Sequence, residues 1–471
     1  MQTAHRDANA VFMDLTEALT GPLVLPEDTD YDEVCQVWSG RVNKRPAALV
    51  RCASAQDVEH TLHWARARGF PVSVRGGGHD FAGRALCDGG IVIDCSEMRA
   101  VAIDPEARTA RIQGGATTGD LVVAAQKHGL ATTTGTVSSV GMAGLTLGGG
   151  YGPLMGKYGL AADNLLSAQV VTANGHLVTA SATEHADLFW GLCGGGGNFG
   201  VVVSLEYRLH PLTQVLSGLL LYPLDQAPDV LRRYGELIRT VPDELTIQSG
   251  FLRMPDGTPV LFLTPVYGGP LAEGEQALAP LRTFGTPLAD QVQPVGYEAL
   301  INSMDALVPK GRHYFIQTRS LDGLRAETIE ALVEQARRFS SPFSAIALHH
   351  CHGAAGRVAP AETAFANRRD HLMVEFIAGW EPQSPEEDQT HMRWAQSGSR
   401  SLAPYALPGG YVNLFDVEEK ERIPLAFGSN YERLLELKRA YDPDDVFHSA
   451  AGHIVPIHDG GATIARTVVG D

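Results

Sequence analysis

The segment Arg75-Gly76-Gly77-Gly78-His79-Asp80 joins a backbone able to wrap phosphates to an imidazole able to form a covalent bond. Three successive glycines present backbone N–H groups with no side chains in the way, which suits a loop folding around a pyrophosphate. A neutral imidazole is a nucleophile, and the 8α carbon of a flavin is an electrophile it can attack. Taken alone, the loop accommodates a flavin-bearing histidine or a satisfied loop histidine. A second glycine segment, Gly195-Gly196-Gly197-Asn198-Phe199-Gly200, matches G-x-G-x-x-G. A dinucleotide fingerprint of that form must follow a strand and open a helix. Here it follows a helical stretch and precedes the strand VVVSLEYRL, so a Rossmann site is excluded, leaving ligand contact or a tight helix-to-strand connection. The longest such run is GTVSSVGMAGLTLGGGYG (135–152), nearly free of bulky side chains, as close approach to a flat ring system requires. Val140, Leu145 and Leu147 recur within it at intervals no flexible linker needs.

A histidine cluster lies further on, in ALHHCHGAAGRV. Strand alternation puts His350 and His352 on one face and His349 on the other. Two histidines at i, i+2 could ligate a metal, but no third ligand is suggested nearby, so no metal is expected. A general base facing the cofactor is the functional expectation for His350 and His352; a structural role is the alternative.

These groups need elements to hold them. From about residue 47 to 210, short β-branched runs (AALVRCA, FPVSVR, GIVIDCS, TARIQGGA, AQVVTANG, HLVTASA, GVVVSLEYRL) alternate with glycine loops. A helix with Val58, Leu62 and Ala65 on one stripe falls between the first two. From about 211 to 409 the strands are longer (ELTIQSGFLR, PVLFLTPVY, SAIALHH, HLMVEFIAGW), which predicts an antiparallel sheet with one face covered by helices. The tail reads as one strand at YVNLFD and a helix ending before Pro443. The expected fold is α+β in two domains: a cofactor domain of 1–210, a substrate domain of 211–409, and a 410–471 segment packing back on the first.

The formal net charge of −17 repels phosphate backbones, and no basic stripe stands out, so nucleic-acid binding is not expected. No stretch of 18 apolar residues suggests a membrane span, and the N-terminus lacks the pattern of a signal peptide. Six scattered cysteines suggest free thiols in a reducing compartment, with the cytoplasm as the default. Oligomeric state is not legible.

The motifs RGGGHD, GTVSSVGMAGLTLGGGYG, FWGLCGGGGNFGVVVSLE (189–206), YVN (411–413) and NYERLLELKRAYDPDDVF (430–447), in this order, resemble the FAD-linked oxidases of the vanillyl-alcohol oxidase fold, berberine-bridge-enzyme-like branch. The resemblance implies an α+β two-domain fold whose antiparallel substrate sheet roofs the flavin. It implies FAD bonded through its 8α carbon to His79, with hydride passing from a small organic substrate (alcohol, amine, sugar or natural-product intermediate) and molecular oxygen as acceptor. Many relatives add a second flavin link from a cysteine at the position of Val137; here the link is expected to be single. Val140 matches the family's gate beside the flavin and implies oxygen access. The positions implied to hold cofactor are Arg75, Gly76, Gly77, Gly78, His79, Asp80, Val137, Ser138, Ser139, Val140, Gly141, Gly144, Gly149, Gly150, Gly200, Val202 and Asn413. Tyr151 matches an active-site tyrosine of relatives.

Two departures bear on chemistry. Relatives often carry a tyrosine at the last position of Y-x-N-Y, as or beside the general base; here it is Leu414. His453 stands where an asparagine is common. Arg312, His313 and Gln317 fall where the family borders its substrate. Alternatives to an oxidase are a flavin dehydrogenase, an oxygenase or cyclising tailoring enzyme, and a flavin-fold protein that only binds a small molecule.

Overall fold

The computed structural model describes residues 11–382 and 384–455. The first ten residues of the N-terminus, and the end of the tail segment beyond 455, lie outside the described residues. The runs of β-branched residues near the start form a four-stranded sheet in the order Leu23–Val24, Ala48–Arg51, Ile91–Asp94, Val72–Arg75. Its last three strands are parallel, with Ala48 and Val72 both opposite Ile91. Parallel strands covered on both faces need continuous apolar runs, and Ile91, Val92 and Ile93 are fully buried. The helix Ala55–Ala67 packs against this sheet; its N-cap Ser54 accepts a hydrogen bond from the Asp57 amide, satisfying one of the orphan donors of its first turn.

A five-stranded antiparallel sheet follows, in the order Val101–Asp104, Thr109–Gln113, Gly200–Arg208, Leu165–Thr172, Leu177–Ser181. The helix Ala186–Leu192 leads through the glycine segment into Gly200–Arg208, the helix-then-strand order that excludes a Rossmann site.

Residues 214–380 build a nine-stranded sheet in which Pro259–Tyr267, Leu245–Arg253, Ala345–Cys351, His371–Trp380 and the edge strand His313–Leu321 are successive neighbours. Helices Ala227–Leu237, Ala326–Arg337 and Pro385–Leu402 cover one face, burying Tyr234, Leu332 and Trp394 against Ile346, Leu348, Val374 and Phe376. The opposite face turns toward the glycine segments. Its side chains follow from register, because residues directly opposite in antiparallel strands point the same way: Gln248 with His349, Ala347 with Glu375, and Ile316 with Ile377.

The tail differs from expectation at YVNLFD. Val412–Leu414 is a single 3₁₀ turn and not a strand. Gly409 and Gly410 redirect the chain just before it, and the Asn413 side chain donates to the Gly144 carbonyl and the Tyr411 hydroxyl. Among the described residues no partner strand runs alongside. The helix Tyr431–Tyr441 ends before Pro443. All six cysteines are free. Among the described residues no helix is long and apolar enough to cross a membrane, and no cluster of three or more His, Cys, Asp or Glu could hold a metal ion.

One charged network fastens the tail to the second glycine segment. Lys438, wholly buried, bonds Asp442 at 2.6 Å, Asp445 at 3.0 Å and the Asn198 carbonyl at 3.2 Å. Asp442 also accepts from the amides of Val446 and Phe447, and His453 reaches Asp445 at 2.8 Å. Asn198 in turn accepts from the Ile454 amide and donates to the carbonyls of Gly195 and Gly452. Replacing Lys438 by methionine leaves Asp442 buried without its counter-charge. Such a loss costs about 3–5 kcal/mol, so K438M should melt well below the parent in thermal denaturation followed by circular dichroism. An unchanged midpoint would contradict this role.

Candidate flavin and substrate site

A cavity of about 400 Å³ lies between the glycine loops and the free face of the nine-stranded sheet. Its floor is built by a close backbone contact. A Cβ on Gly77 would stand 2.6 Å from the Cα of Gly141, so the RGGGH loop and the 135–152 run meet only because both positions are glycine. Gly78, at φ +66°, then turns the chain so that His79 enters the cavity wall. Gly76, Gly77, Gly78, His79, Asp80, Val137, Val140, Gly141, Gly144, Tyr151, Gly200, Val202 and Asn413 all line this cavity.

The remaining positions expected at the cofactor do not line it. Arg75 is buried in an ion pair with Asp94, Nε to Oδ1 at 2.9 Å, and braces the start of the loop. Ser138 donates its amide (3.0 Å) and hydroxyl (2.5 Å) to Asp305. Ser139 packs its carbonyl toward Gly77; Gly149 lies against Phe365, and Gly150 against Ala161. These residues shape the loops from behind.

The His79 ring stacks on Trp38 at 4.3 Å, and Trp38 stacks on Tyr314 at 3.8 Å. Trp38 Nε1 donates to the Val308 carbonyl, tying the stack to the 303–311 segment. Burial pushes the His79 pKa down to about 4, so the ring is neutral at physiological pH. Its Nε2 is sealed from solvent and has no hydrogen-bond partner among the described residues. A neutral imidazole with a free ring nitrogen is the form able to carry a covalent bond to an electrophilic carbon. Gly144 and Gly197 line the same cavity, and a Cβ on Gly144 would meet nothing within 4 Å, the open space a flat ligand would fill. These residues fit a flavin dinucleotide.

At the sheet end stands a group that sequence reasoning missed. Glu375 Oε1 accepts from the Tyr151 hydroxyl at 2.7 Å and pairs with His349 Nε2 at 3.2 Å, while Gln248 Nε2 lies 3.4 Å from the same imidazole nitrogen. Burial works to raise the Glu375 pKa, but the charge and hydrogen bond of His349, with the Tyr151 hydroxyl, together bring it below the ordinary glutamate range. Burial and the Glu375 charge hold Tyr151 far above the usual phenol range, so it is a donor to Glu375 and not a base at neutral pH.

His350 and His352, expected to face the cofactor, do not line the large cavity. They do share a face, stacking at 4.1 Å, but it is His349 that faces the large cavity. Burial lowers the His350 pKa to about 2, and His352 Nε2 lies 3.4 Å from Thr246 beneath the helix Met155–Tyr158. Arg312 pairs with Glu381 and Gln317 with Glu419; neither they nor His313 lines the cavity. The lone carboxylate in the apolar strand HLMVEFIAGW was the available signal for Glu375, since an acidic residue in a strand covered on both faces needs a reason to be there.

With this geometry in place, comparison with known proteins is direct. A profile described as an FAD binding domain matches residues 46–181, and one described as berberine and berberine like matches 410–452. An uncharacterised FAD-linked oxidoreductase, YgaK of Bacillus subtilis (strain 168), is 33% identical over 440 residues, covering 91% of this chain and 96% of its own. The (R)-6-hydroxynicotine oxidase of Paenarthrobacter nicotinovorans is 32% identical over 444 residues, with the same coverages. Among solved structures, 6-hydroxy-D-nicotine oxidase from Arthrobacter nicotinovorans superposes with a TM-score of 0.84 at 29% identity, covering 93% of this chain and 98% of that one. Berberine bridge enzyme from Eschscholzia californica shares the fold, with a TM-score of 0.85 at 22% identity, covering 95% and 99%. The chain belongs to the berberine-bridge-enzyme-like family of FAD-linked oxidoreductases. Its architecture is the vanillyl-alcohol oxidase fold, with an FAD-binding domain.

The hydrogen bond from Tyr151 stabilises the charged form of Glu375, so Tyr151→Phe raises the Glu375 pKa. If Glu375 must be ionised to act, activity falls as pH drops through that pKa. The acid limb of the kcat/KM profile should therefore move to higher pH in Y151F; a limb that stays put or moves lower contradicts the coupling.

Proposed function

We propose that the protein is an oxidase carrying FAD on His79 alone, with Glu375 as the base that takes a proton from a small organic substrate. The observation that carries the base assignment is the unequal use of the two Glu375 oxygens. Oε1 is occupied by Tyr151 and His349, whereas Oε2 has no hydrogen-bond partner among the described residues and the residue lines the cavity. A carboxylate so held is ionised, oriented and able to accept one more proton-bearing group.

Bound along the glycine loops, the flavin would accept a hydride from a substrate carbon and pass the electron pair to molecular oxygen, giving hydrogen peroxide. The chain's own part is positional and protonic. Gly76, Gly77 and Gly78 offer backbone amides to the phosphates, His79 anchors the ring system, and Asn413 fixes the 144–148 turn beside it. Val137, in the place of the cysteine many relatives use, has no atom for a second bond. Val140 lines the cavity with a small apolar side chain, consistent with access for oxygen. The missing phenol at Leu414 is thereby accounted for: the proton acceptor comes from the sheet instead of the tail.

Two variants test these assignments. Acid-precipitated wild-type protein should give a yellow pellet and His79→Ala a colourless one; a yellow H79A pellet would place the link elsewhere. Glu375→Gln should retain the flavin absorption band yet lose roughly 10²–10⁴-fold in kcat, with peroxide release as the assay. A fully active E375Q variant would remove Glu375 from the role of base.

A further inference from the structure

The named substrates of relatives differ widely: a hydroxynicotine for one, chito- and xylo-oligosaccharides for two structural neighbours. The wall of this chain's own cavity must therefore decide. On the side facing away from the glycine loops, hydrogen-bonding capacity is gathered at one end. There, Gln248, His349 and Glu375 form a linked row, and Tyr151 is already committed to Glu375. The Tyr411 hydroxyl is likewise engaged by Asn413. The rest of that wall is Met304, Val308, Ile316, Ala347, Ile377 and Leu414, drawn from five separate parts of the chain. Among the described residues no lysine or arginine other than Arg84 lines the cavity, and Arg84 is held by Asp80 and by the carbonyls of Val412 and Asn413.

We propose that the substrate is a compact, mainly apolar molecule bearing a single protic group at one end, a phenol, alcohol or amine, and that the pocket rejects sugars. This rests on the reading of Glu375 as base. The protic group meets Glu375 Oε2, and the apolar body lies on the Ile316–Ile377 side, where these two residues sit directly opposite each other in adjacent strands. A sugar presents hydroxyls on every edge. Those placed against Met304, Val308, Ile316 and Ile377 would give up their water partners and gain none, a loss that grows with each hydroxyl. An apolar body loses nothing there and gains by leaving water.

The test uses wild-type holoenzyme in anaerobic titrations that follow the flavin absorption, with 4-ethylphenol, benzyl alcohol and N-methylbenzylamine set against cellobiose and xylobiose. At least one apolar probe should perturb or bleach the flavin band with a Kd roughly 100-fold below either disaccharide. A disaccharide that binds or reduces the flavin as well as the apolar probes overturns the proposal, and so does a panel in which no apolar probe perturbs the band. Ile377→Ser, with flavin content as the control, should weaken the apolar probe about tenfold; an unchanged Kd also overturns it. The Glu375→Gln holoenzyme separates the two readings. If the wild-type preference for apolar probes holds while E375Q turns the same probe over at full rate, the base assignment fails and the pocket assignment stands. A disaccharide preference with an inactive E375Q gives the reverse.

Discussion

The contact between Gly77 and Gly141 is the constraint on which the site depends. Two loops more than sixty residues apart in sequence touch backbone to backbone, with no room for a Cβ on either side. That approach places His79 against Trp38 and leaves the open space under Gly144 and Gly197. The 303–311 segment is secured from outside to the 135–152 run through Asp305 on Ser138, and to Trp38, the ring stacked on His79, through the Val308 carbonyl on Trp38 Nε1. The floor, the anchor and one wall are thus fixed by a small set of contacts, most of them to backbone atoms.

The electrostatics of the two ends are opposite in kind. At the His79 end burial outweighs the opposing pull of a backbone hydrogen bond and of the Asp80 and Asp305 charges, and leaves a neutral ring. At the Glu375 end burial is outweighed by two donors on one oxygen, so a charge persists in a mostly apolar surround. A buried carboxylate is costly to retain unless it is hydrogen-bonded, and the cost is met here by side chains from distant parts of the chain: Tyr151 from the glycine run and His349 from the sheet.

Most of the fold was legible because its strands obey simple patterns. The β-branched runs before residue 210 and the alternating strands after it all appear, and the reversed context of Gly195–Gly200 was readable from the order of a helix and a strand. Where legibility failed, the reason is physical. YVNLFD has strand-like composition, but the glycine pair before it and the use of Asn413 as a local cross-brace make a turn. The face of a histidine pair follows from alternation; which face meets the cavity depends on which side the helices cover. That was not visible from ALHHCHG, and it placed His349 on the cavity instead of its neighbours. Arg75, Ser138, Ser139, Gly149 and Gly150 lie within motifs whose spacing was read correctly, yet their side chains or Cα atoms face the supporting structure. Glu375 sits in a strand whose other residues announce only burial.

The nine-stranded sheet separates two tasks by the parity of residue number. In His371–Trp380, Glu375 and Ile377 face the cavity, while Val374 and Phe376 belong to the core beneath the helices. The same holds for Ala347 and His349 against Ile346 and Leu348. Substitutions at every second position can therefore recast the chamber while the hydrophobic layer that holds the sheet together is left untouched. An architecture of this kind lets a lineage diversify its chemistry by drift on one surface, and the wide spread of substrates named among its relatives is what such modularity would produce.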